Sequence, residues 1–146
     1  MECKFYFAYG SNMNAASMHD RCPDSVKIGN AGIPNFRFAI DSAGVATIID
    51  SPDGYVQGIL WLISPMDERR LDIYEGVKAG CYRKEHLSVI TNYLEVVKAL
   101  VYISARPECD PSTHTRSFYM SDIYETAKEA KFRKYYLEKL ARYANS

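Results

Sequence analysis

The order of secondary-structure patterns along the chain constrains its fold more than any other feature. β-rich runs fill the first two-thirds of the sequence, and residues 122–143 carry apolar side chains at helical intervals among Lys, Glu and Arg. One well-specified helix start lies between the strands, with Ser64 as N-cap, Pro65 at the first helical position and Asp67 three residues after the cap. Because a doubly wound sheet needs more crossover helices than this, the order predicts an α+β fold with a curved or barrel-like mixed sheet.

The boundaries of the predicted strands come from alternation and from turn residues. Six runs are predicted strands, at residues 4–8, 26–40, 44–50, 55–63, 82–90 and 95–104. The second run contains Gly29, Gly32 and Pro34, which indicate a bulge or bend near its start. The segment Ser51-Pro52-Asp53-Gly54 is a strong turn signal, so the third and fourth runs are expected to pair as a hairpin.

Length and charge limit the classes of partner. The 146 residues are expected to form one domain, 1–146. The 18 basic and 18 acidic residues cancel without a basic cluster, so neither nucleic acid nor an anionic membrane is expected as a partner. The sequence has no apolar run near the roughly 20 residues of a membrane span and no leader-like start. We therefore expect a cytoplasmic protein that acts on a small molecule. The 12 tyrosines are compatible with a homodimer, because Tyr is enriched at interfaces.

The cysteines and histidines do not predict a metal site. The cysteines are far apart and form no Cys-x-x-Cys pair, which favours free thiols in a reducing compartment. The histidines belong to different elements and have no cysteine or acidic residue at ligand spacing. These residues are Cys3, Cys22, Cys81, Cys109, His19, His86 and His114. We expect neither a bound metal nor a disulfide framework.

The run Tyr6-Phe7-Ala8-Tyr9-Gly10-Ser11-Asn12 is the strongest candidate for a binding site. An aromatic strand breaks at once into a Gly-Ser-Asn turn, which brings backbone N–H groups to one point. Gly10 can take backbone angles that are closed to other residues, while Ser11 and Asn12 can hydrogen-bond the local main chain. A nest of this kind binds carboxylates or phosphates. The alternative is an ordinary turn in which Asn12 caps a short helix over residues 13–19.

A second candidate is Glu75, because the helix after Ser64 is expected to end at Glu75 and Gly76. The C-terminal end of a helix carries partial negative charge and disfavours a carboxylate. Burial beside Tyr74 and Tyr82 would also raise the pKa of Glu75, as a general base that works near neutral pH requires. The alternative is a solvated glutamate on a surface turn.

Taken together, these residues resemble the γ-glutamylcyclotransferase family. The matching segments are Phe7-Ala8-Tyr9-Gly10-Ser11-Asn12, Gly44-Val45-Ala46-Thr47-Ile48, Gly58…Trp61 and Leu71-Asp72…Glu75-Gly76-Val77…Gly80…Tyr82. They match the family in order and approximate spacing, and the resemblance extends over roughly residues 5–140. The resemblance implies a small mixed β-barrel with flanking helices, and a cavity where the first loop meets Glu75.

The resemblance also implies an activity and its residues. In that activity, the α-amino nitrogen of a γ-glutamyl amide attacks its own γ-carbonyl, which gives 5-oxoproline and a free amine without a cofactor. Glu75 would be the catalytic acid/base. The residues that would bind the small-molecule γ-glutamyl substrate are Tyr6, Phe7, Ala8, Tyr9, Gly10, Ser11, Asn12, Tyr82 and Tyr119. Two alternatives stay open, namely a non-catalytic binding module of the same fold and an amide hydrolase in which Glu75 activates water.

The C-terminal region departs from the family pattern. The family often has a Gly-Ala pair and then a Gly-Leu-Pro break between two helices, where this chain has Thr126-Ala127 and Lys131-Phe132-Arg133. We therefore expect a weaker helix break. By the resemblance this region borders the leaving group, so the released amine stays open: an α-amino acid, a lysine-like side chain, a dipeptide such as cysteinylglycine, or the amine of a secondary metabolite.

Overall fold

Five β-strands close into a barrel in the computed structural model, which describes residues 2–108 and 119–144. The strands are β1 (Lys4–Ala8), β2 (Val26–Ile40), β3 (Ala46–Ile63), β4 (Tyr82–Thr91) and β5 (Val96–Ser104). Their order around the barrel is β1-β3-β2-β4-β5. Strand β1 pairs antiparallel with β3 and parallel with β5, so the sheet is mixed.

Four α-helices flank the barrel within the described ranges. They are α1 (Ala15–Arg21), α2 (Pro65–Tyr74), α3 (Tyr119–Glu129) and α4 (Lys134–Ala144). The predicted α+β class and the small mixed β-barrel with flanking helices are therefore confirmed. None of the helices in this part of the chain is long and apolar enough to cross a membrane.

The predicted hairpin around residues 51–54 is wrong, because β3 continues through this segment. Both halves of β3 pair antiparallel with the same strand: Phe36 of β2 lies opposite Asp50, and Pro34 lies opposite Tyr55. Four residues of β3 thus face the single residue Asn35, whose φ is 66°. Residues 51–54 therefore form a large bulge within β3, and β2 and β3 form the hairpin instead. A second register shift, between Lys27 and Gly29, confirms the predicted irregularity near the start of β2.

Helix α2 begins and ends where the sequence predicts. The Ser64 hydroxyl accepts the Asp67 N–H at 3.1 Å, and the Asp67 carboxylate accepts the Ser64 N–H at 3.1 Å, which is a complete capping box. Glu75 is the C-cap, and Gly76 follows with a φ of 66°, a left-handed conformation that glycine adopts at little cost. Leu71 is fully buried and holds the helix to the barrel. This packing fixes the position of Glu75.

The C-terminal segment forms two helices, with a sharper break than the sequence predicts. Helix α3 ends before Lys131, which has a φ of 60°. Phe132 is buried, and its N–H donates to the Ala127 carbonyl at 3.2 Å. The left-handed residue and the buried ring redirect the chain without the Gly-Leu-Pro sequence. The two helices then pack their apolar faces, which include Ile123 and Tyr136, on the core.

Candidate active site

A cavity of about 480 Å³ opens at one end of the barrel, where the loop after β1 meets the C-terminal end of α2. Its wall combines residues from distant parts of the chain. The lining residues are Tyr6, Phe7, Tyr9, Gly10, Ser11, Asn12, Ser17, Arg21, Ala43, Val45, Ala46, Tyr74, Glu75, Gly76, Cys81, Tyr82, Tyr102, Arg106, Tyr119 and Asp122. The structure therefore brings Glu75 into one cavity with most of the predicted binding residues.

Ala8 is the predicted binding residue that does not line this cavity. It is buried within β1 opposite Ile59. Side chains two positions apart lie on the same face of a strand, so Tyr6 shares this face with Ala8. Tyr6 reaches the cavity with a long ring and hydroxyl, whereas the side chain of Ala8 ends at Cβ. Ala8 is therefore a residue of the barrel core and not of the cavity wall.

The loop after β1 is a single 3-10 turn, Ser11–Met13, with Gly10 as its N-cap. The Met13 N–H donates to the Gly10 carbonyl at 3.0 Å, so the N–H groups of Ser11 and Asn12 precede the first hydrogen bond of the turn and have no acceptor within it. A Cβ on Gly10 would lie 3.2 Å from the Cβ of Ala46. Glycine thus allows the loop to approach β3 closely.

Asn12 does not cap the following helix, so the ordinary-turn alternative is wrong in its detail. Helix α1 is capped by Asn14, whose Oδ1 accepts the Ser17 N–H at 2.9 Å. Asn12 is buried, donates from Nδ2 to the Tyr6 hydroxyl at 3.0 Å, and accepts a hydrogen bond from Arg21. Its side chain therefore ties the loop to β1 and to the end of α1.

Glu75 is the acidic group at the centre of the site. It is half-buried, and burial raises its pKa to about 7, although Arg21 and Arg106 act in the opposite direction. Within residues 2–108 and 119–144, its carboxylate has no hydrogen-bond or ion-pair partner. A carboxyl group with a pKa near neutrality can both accept and donate a proton at physiological pH.

Two tyrosines fix the main chain of Ala46 at the opposite side of the cavity. The Tyr82 hydroxyl donates to the Ala46 carbonyl at 2.5 Å, and the Tyr119 hydroxyl accepts the Ala46 N–H at 2.9 Å. Burial raises the pKa of both hydroxyls above the usual value for tyrosine. Both therefore stay neutral at physiological pH. The Tyr82 proton is already donated to Ala46, so Tyr82 shapes the cavity rather than supplying an acid.

Two arginines that the sequence analysis did not single out line the cavity. The guanidinium carbon of Arg21 lies 3.6 Å from the centroid of the Tyr74 ring. Arg106 forms an ion pair with Asp41, with Nη2 at 2.8 Å from Oδ2, and lies 5.5 Å from the centroid of the Tyr82 ring. No local spacing marks either arginine, because each one meets the cavity only through tertiary contacts.

Asp41 is fully buried behind Arg106. Burial opposes its charge, but hydrogen bonds from the Ser104 hydroxyl at 2.7 Å, the Ala43 N–H at 2.8 Å and the Val45 N–H, together with Arg106, hold its pKa below the usual range. An ion pair so well satisfied gives the guanidinium of Arg106 one fixed position.

A smaller cavity of about 210 Å³ adjoins the first. The two share Gly10, Ser11, Ser17, Tyr119 and Asp122, and the smaller one is also lined by Thr126. Thr126 is one of the positions at which the sequence departs from the family pattern. Its side chain therefore limits the space beyond the main cavity.

Residues 55–140 match the family model described as the AIG2-like family. The proteins named γ-glutamylcyclotransferase from Mus musculus and from Homo sapiens are each 30% identical over 149 residues, which covers 95% of this chain and 78% of each relative. A solved structure named γ-glutamyl cyclotransferase is 29% identical and superposes with a TM-score of 0.87, which covers 96% of this chain and 87% of that one. By sequence, by fold and by the order of its motifs, this chain belongs to the γ-glutamylcyclotransferase family.

Proposed function

We propose that this chain is a γ-glutamylcyclotransferase that acts on a γ-glutamyl amide. In the reaction, the α-amino nitrogen forms a bond with the γ-carbonyl carbon of the same molecule, and the amide bond to the γ-linked amine breaks. The products are 5-oxoproline and the free amine, and no water is consumed. The proposal rests on the carboxyl group of Glu75, which has a pKa of about 7 and no ion-pair partner among the described residues, and which lies in one cavity with the loop after β1.

Glu75 moves the proton in this proposal. The α-ammonium group must lose a proton before its nitrogen can attack, and the leaving nitrogen must gain one. A single carboxylate between the two nitrogens serves both steps, and a pKa near the working pH suits an acid/base that changes state twice in one turnover. The reaction needs no cofactor in this scheme.

Besides the proton transfer by Glu75, the cavity accelerates the reaction by holding the substrate in position. The nucleophile and the electrophile belong to one molecule, so holding that molecule in its folded conformer lowers the activation free energy by several kcal/mol, as in other well-oriented ring closures. The N–H groups of Ser11 and Asn12 are free of helical acceptors and can stabilise a substrate carboxylate or the oxyanion that develops on the γ-carbonyl. Glu75 is desolvated by burial in the cavity, whose lining includes the rings of Tyr6, Tyr9 and Tyr82.

The leaving amine extends toward the smaller cavity in this proposal. That cavity shares Tyr119 and Asp122 with the main one, and Thr126 closes part of it. A threonine at this position narrows the space relative to the glycine that the family often has there. The size and the charge of the leaving amine therefore depend on Asp122 and Thr126 as well as on the loop after β1.

The same proposal includes the cellular setting. Cys3, Cys22 and Cys81 are unpaired, which supports a reducing compartment such as the cytoplasm. The substrate is a small molecule, and the balanced charge of the chain supports neither nucleic acid nor membrane as a partner. A homodimer stays a prediction from the tyrosine content alone.

Mass spectrometry of the products tests the proposal. Purified wild-type protein is incubated with a panel of γ-glutamyl amino acids and amines, alongside Glu75→Gln and a matched control, Glu129→Gln, which removes an exposed carboxylate of α3 that does not line the cavity. We expect 5-oxoproline from wild type and control, and a loss of about 100- to 10,000-fold in Glu75→Gln. Free glutamate instead of 5-oxoproline would identify a hydrolase, and binding without any product would identify a non-catalytic module.

A further inference from the structure

The charged side chains of the main cavity are not equivalent. Among the described residues, those that line it are Arg21, Glu75, Arg106 and Asp122. The charge of Arg106 is already compensated, because its Nε and Nη2 atoms lie 2.9 and 2.8 Å from the Oδ2 atom of Asp41. Arg106 therefore brings little net positive charge to a ligand.

Arg21, in contrast, has no carboxylate partner in residues 2–108 and 119–144. Its guanidinium stacks on the Tyr74 ring at 3.6 Å and donates to the neutral Oδ1 atom of Asn12. These two contacts orient the planar group without neutralising it. A guanidinium fixed in this way keeps further N–H donors for a carboxylate, which it can bind through two parallel hydrogen bonds.

Arg21 and Glu75 face the same cavity but do not form an ion pair with each other. Arg21 is close enough to Glu75 to favour its charged form, yet no nitrogen of Arg21 lies within 4 Å of its carboxylate oxygens. The other titratable groups that face Glu75 are Tyr6, Tyr9, Tyr82, Tyr119 and Arg106, from the strands and helices around it. A cation and an anion thus stand apart across a polar cavity.

An unneutralised guanidinium and a carboxyl group that line one cavity are complementary in charge to the head group of a free α-amino acid, in which one carbon carries both a carboxylate and an ammonium group. We infer that Arg21 binds the α-carboxylate of the γ-glutamyl unit, while Glu75 receives the α-ammonium group on the same carbon. The inference rests on the proposed function, because it takes the γ-glutamyl unit as the ligand. Arg21 is then a specificity-determining residue that selects substrates with a free α-carboxylate and turns the α-nitrogen toward Glu75.

The inference is tested first by binding, without turnover. The probes are 5-oxoproline, which carries the carboxylate, and 5-oxoproline amide, in which a neutral carboxamide replaces it. Dissociation constants are measured by calorimetry or NMR titration for wild type, Arg21→Gln, Arg21→Lys and the control Arg69→Gln, which removes an exposed arginine of α2 that does not line the cavity.

We expect wild type and Arg69→Gln to bind 5-oxoproline about 10- to 100-fold more tightly than the amide. Arg21→Gln should lose this preference, and Arg21→Lys should keep part of it, because lysine retains the charge but not the paired geometry. The inference is overturned if Arg21→Gln keeps the wild-type preference, if wild type shows no preference, or if wild type binds neither probe. The comparison of two ligands on wild type needs no variant, so a folding defect cannot mimic the result.

Kinetics then identify which carboxylate Arg21 binds. The substrates are γ-glutamylalanine, with a carboxylate on the leaving amine, and γ-glutamylethylamide, without one. A rise in KM of about 10- to 100-fold for both in Arg21→Gln supports binding of the α-carboxylate. A rise confined to γ-glutamylalanine assigns Arg21 to the leaving amine and overturns the inference.

The inference and the proposed function fail separately. If wild type prefers 5-oxoproline over its amide through Arg21 but releases no 5-oxoproline from any γ-glutamyl compound, the cyclotransferase activity is wrong and Arg21 remains a carboxylate-binding residue. If wild type releases 5-oxoproline and Arg21→Gln does so with unchanged KM, the activity is right and the role of Arg21 is wrong.

Discussion

The two walls of the cavity are built in different ways. The N-terminal wall, residues 6–21, is a continuous stretch of strand, 3-10 turn and short helix. The opposite wall joins Glu75, Tyr82, Arg106 and Tyr119, which lie far apart in the sequence. The first wall is determined mainly by local backbone geometry, whereas the second depends on strand register and on buried polar contacts. Substitutions that loosen buried contacts should therefore damage the second wall more than the first.

The largest effect on stability is expected at Asp41. Asp41→Asn removes a fully buried charge and leaves Arg106 without its ion-pair partner. Breaking a buried pair from one side costs about 3–5 kcal/mol of the free energy of unfolding. The control is Glu108→Gln, which breaks the more exposed pair with Arg37 and should cost at most about 1 kcal/mol. Denaturant unfolding of the two variants measures the difference, and equal losses would contradict this account of the opposite wall.

The next effect is a pH dependence that comes from Glu75. In the unfolded chain its pKa is near 4.5, and in the folded protein it is about 7, so the folded state binds more protons between these values. The stabilising contribution of the proton is complete below pH 4.5 and is lost as the pH rises through 7. The free energy of unfolding of wild type should therefore fall relative to Glu75→Gln by up to about 3 kcal/mol between pH 4.5 and 8. Parallel pH profiles of the two proteins would show that the pKa of Glu75 is not raised.

A smaller effect is expected at the junction of α3 and the barrel. Tyr119→Phe removes the hydroxyl that accepts the Ala46 N–H and leaves that donor without its partner. An unsatisfied buried donor costs about 1–3 kcal/mol. Tyr93→Phe is the matched control, because Tyr93 is 79% exposed. Thermal unfolding should separate the two variants, and equal stability would mean that water replaces the lost hydroxyl.

The smallest effect belongs to the N-terminal wall. Asn14→Ala removes the N-cap of α1 and should cost about 1 kcal/mol. Since α1 carries Arg21 at its end, KM is also expected to rise modestly, by less than in Arg21→Gln. A loss of stability as large as that of Asp41→Asn would reverse the proposed ranking of the two walls.

The contrast between local geometry and tertiary contacts also explains which features of the fold the sequence predicts correctly. The capping box at Ser64, the end of α2 at Glu75 and the irregular start of β2 follow from local rules, and the structure has them where they are predicted. The hairpin at residues 51–54 was mispredicted because a turn signal cannot show that both flanking segments pair with one strand. The alternative in which Asn12 caps a helix is wrong because the contacts of Asn12 with Tyr6 and Arg21 depend on tertiary structure, which local rules do not describe.

The candidate site divides by the kind of contact that positions each residue, and not by wall. The loop motif and Glu75 were found from the sequence, because each stands at the end of an element with a local signature. Arg21, Arg106 and Asp41 were missed, because their positions depend on ring stacking and on buried hydrogen bonds between distant strands. Tyr119 was placed by resemblance, and its contact with Ala46 comes from the packing of α3 on the barrel.

The large bulge in β3 divides the strand into two halves with different roles. The half before residues 51–54 keeps its register with β2 through five pairs and carries Ala46 at the cavity, while the half after it builds the barrel against β1. Each half is paired independently, so the length of the segment between them is not coupled to either register. Residues 51–54 are therefore a natural insertion point, at which a peptide tag or a reporter domain can be added while the geometry of the cavity is retained.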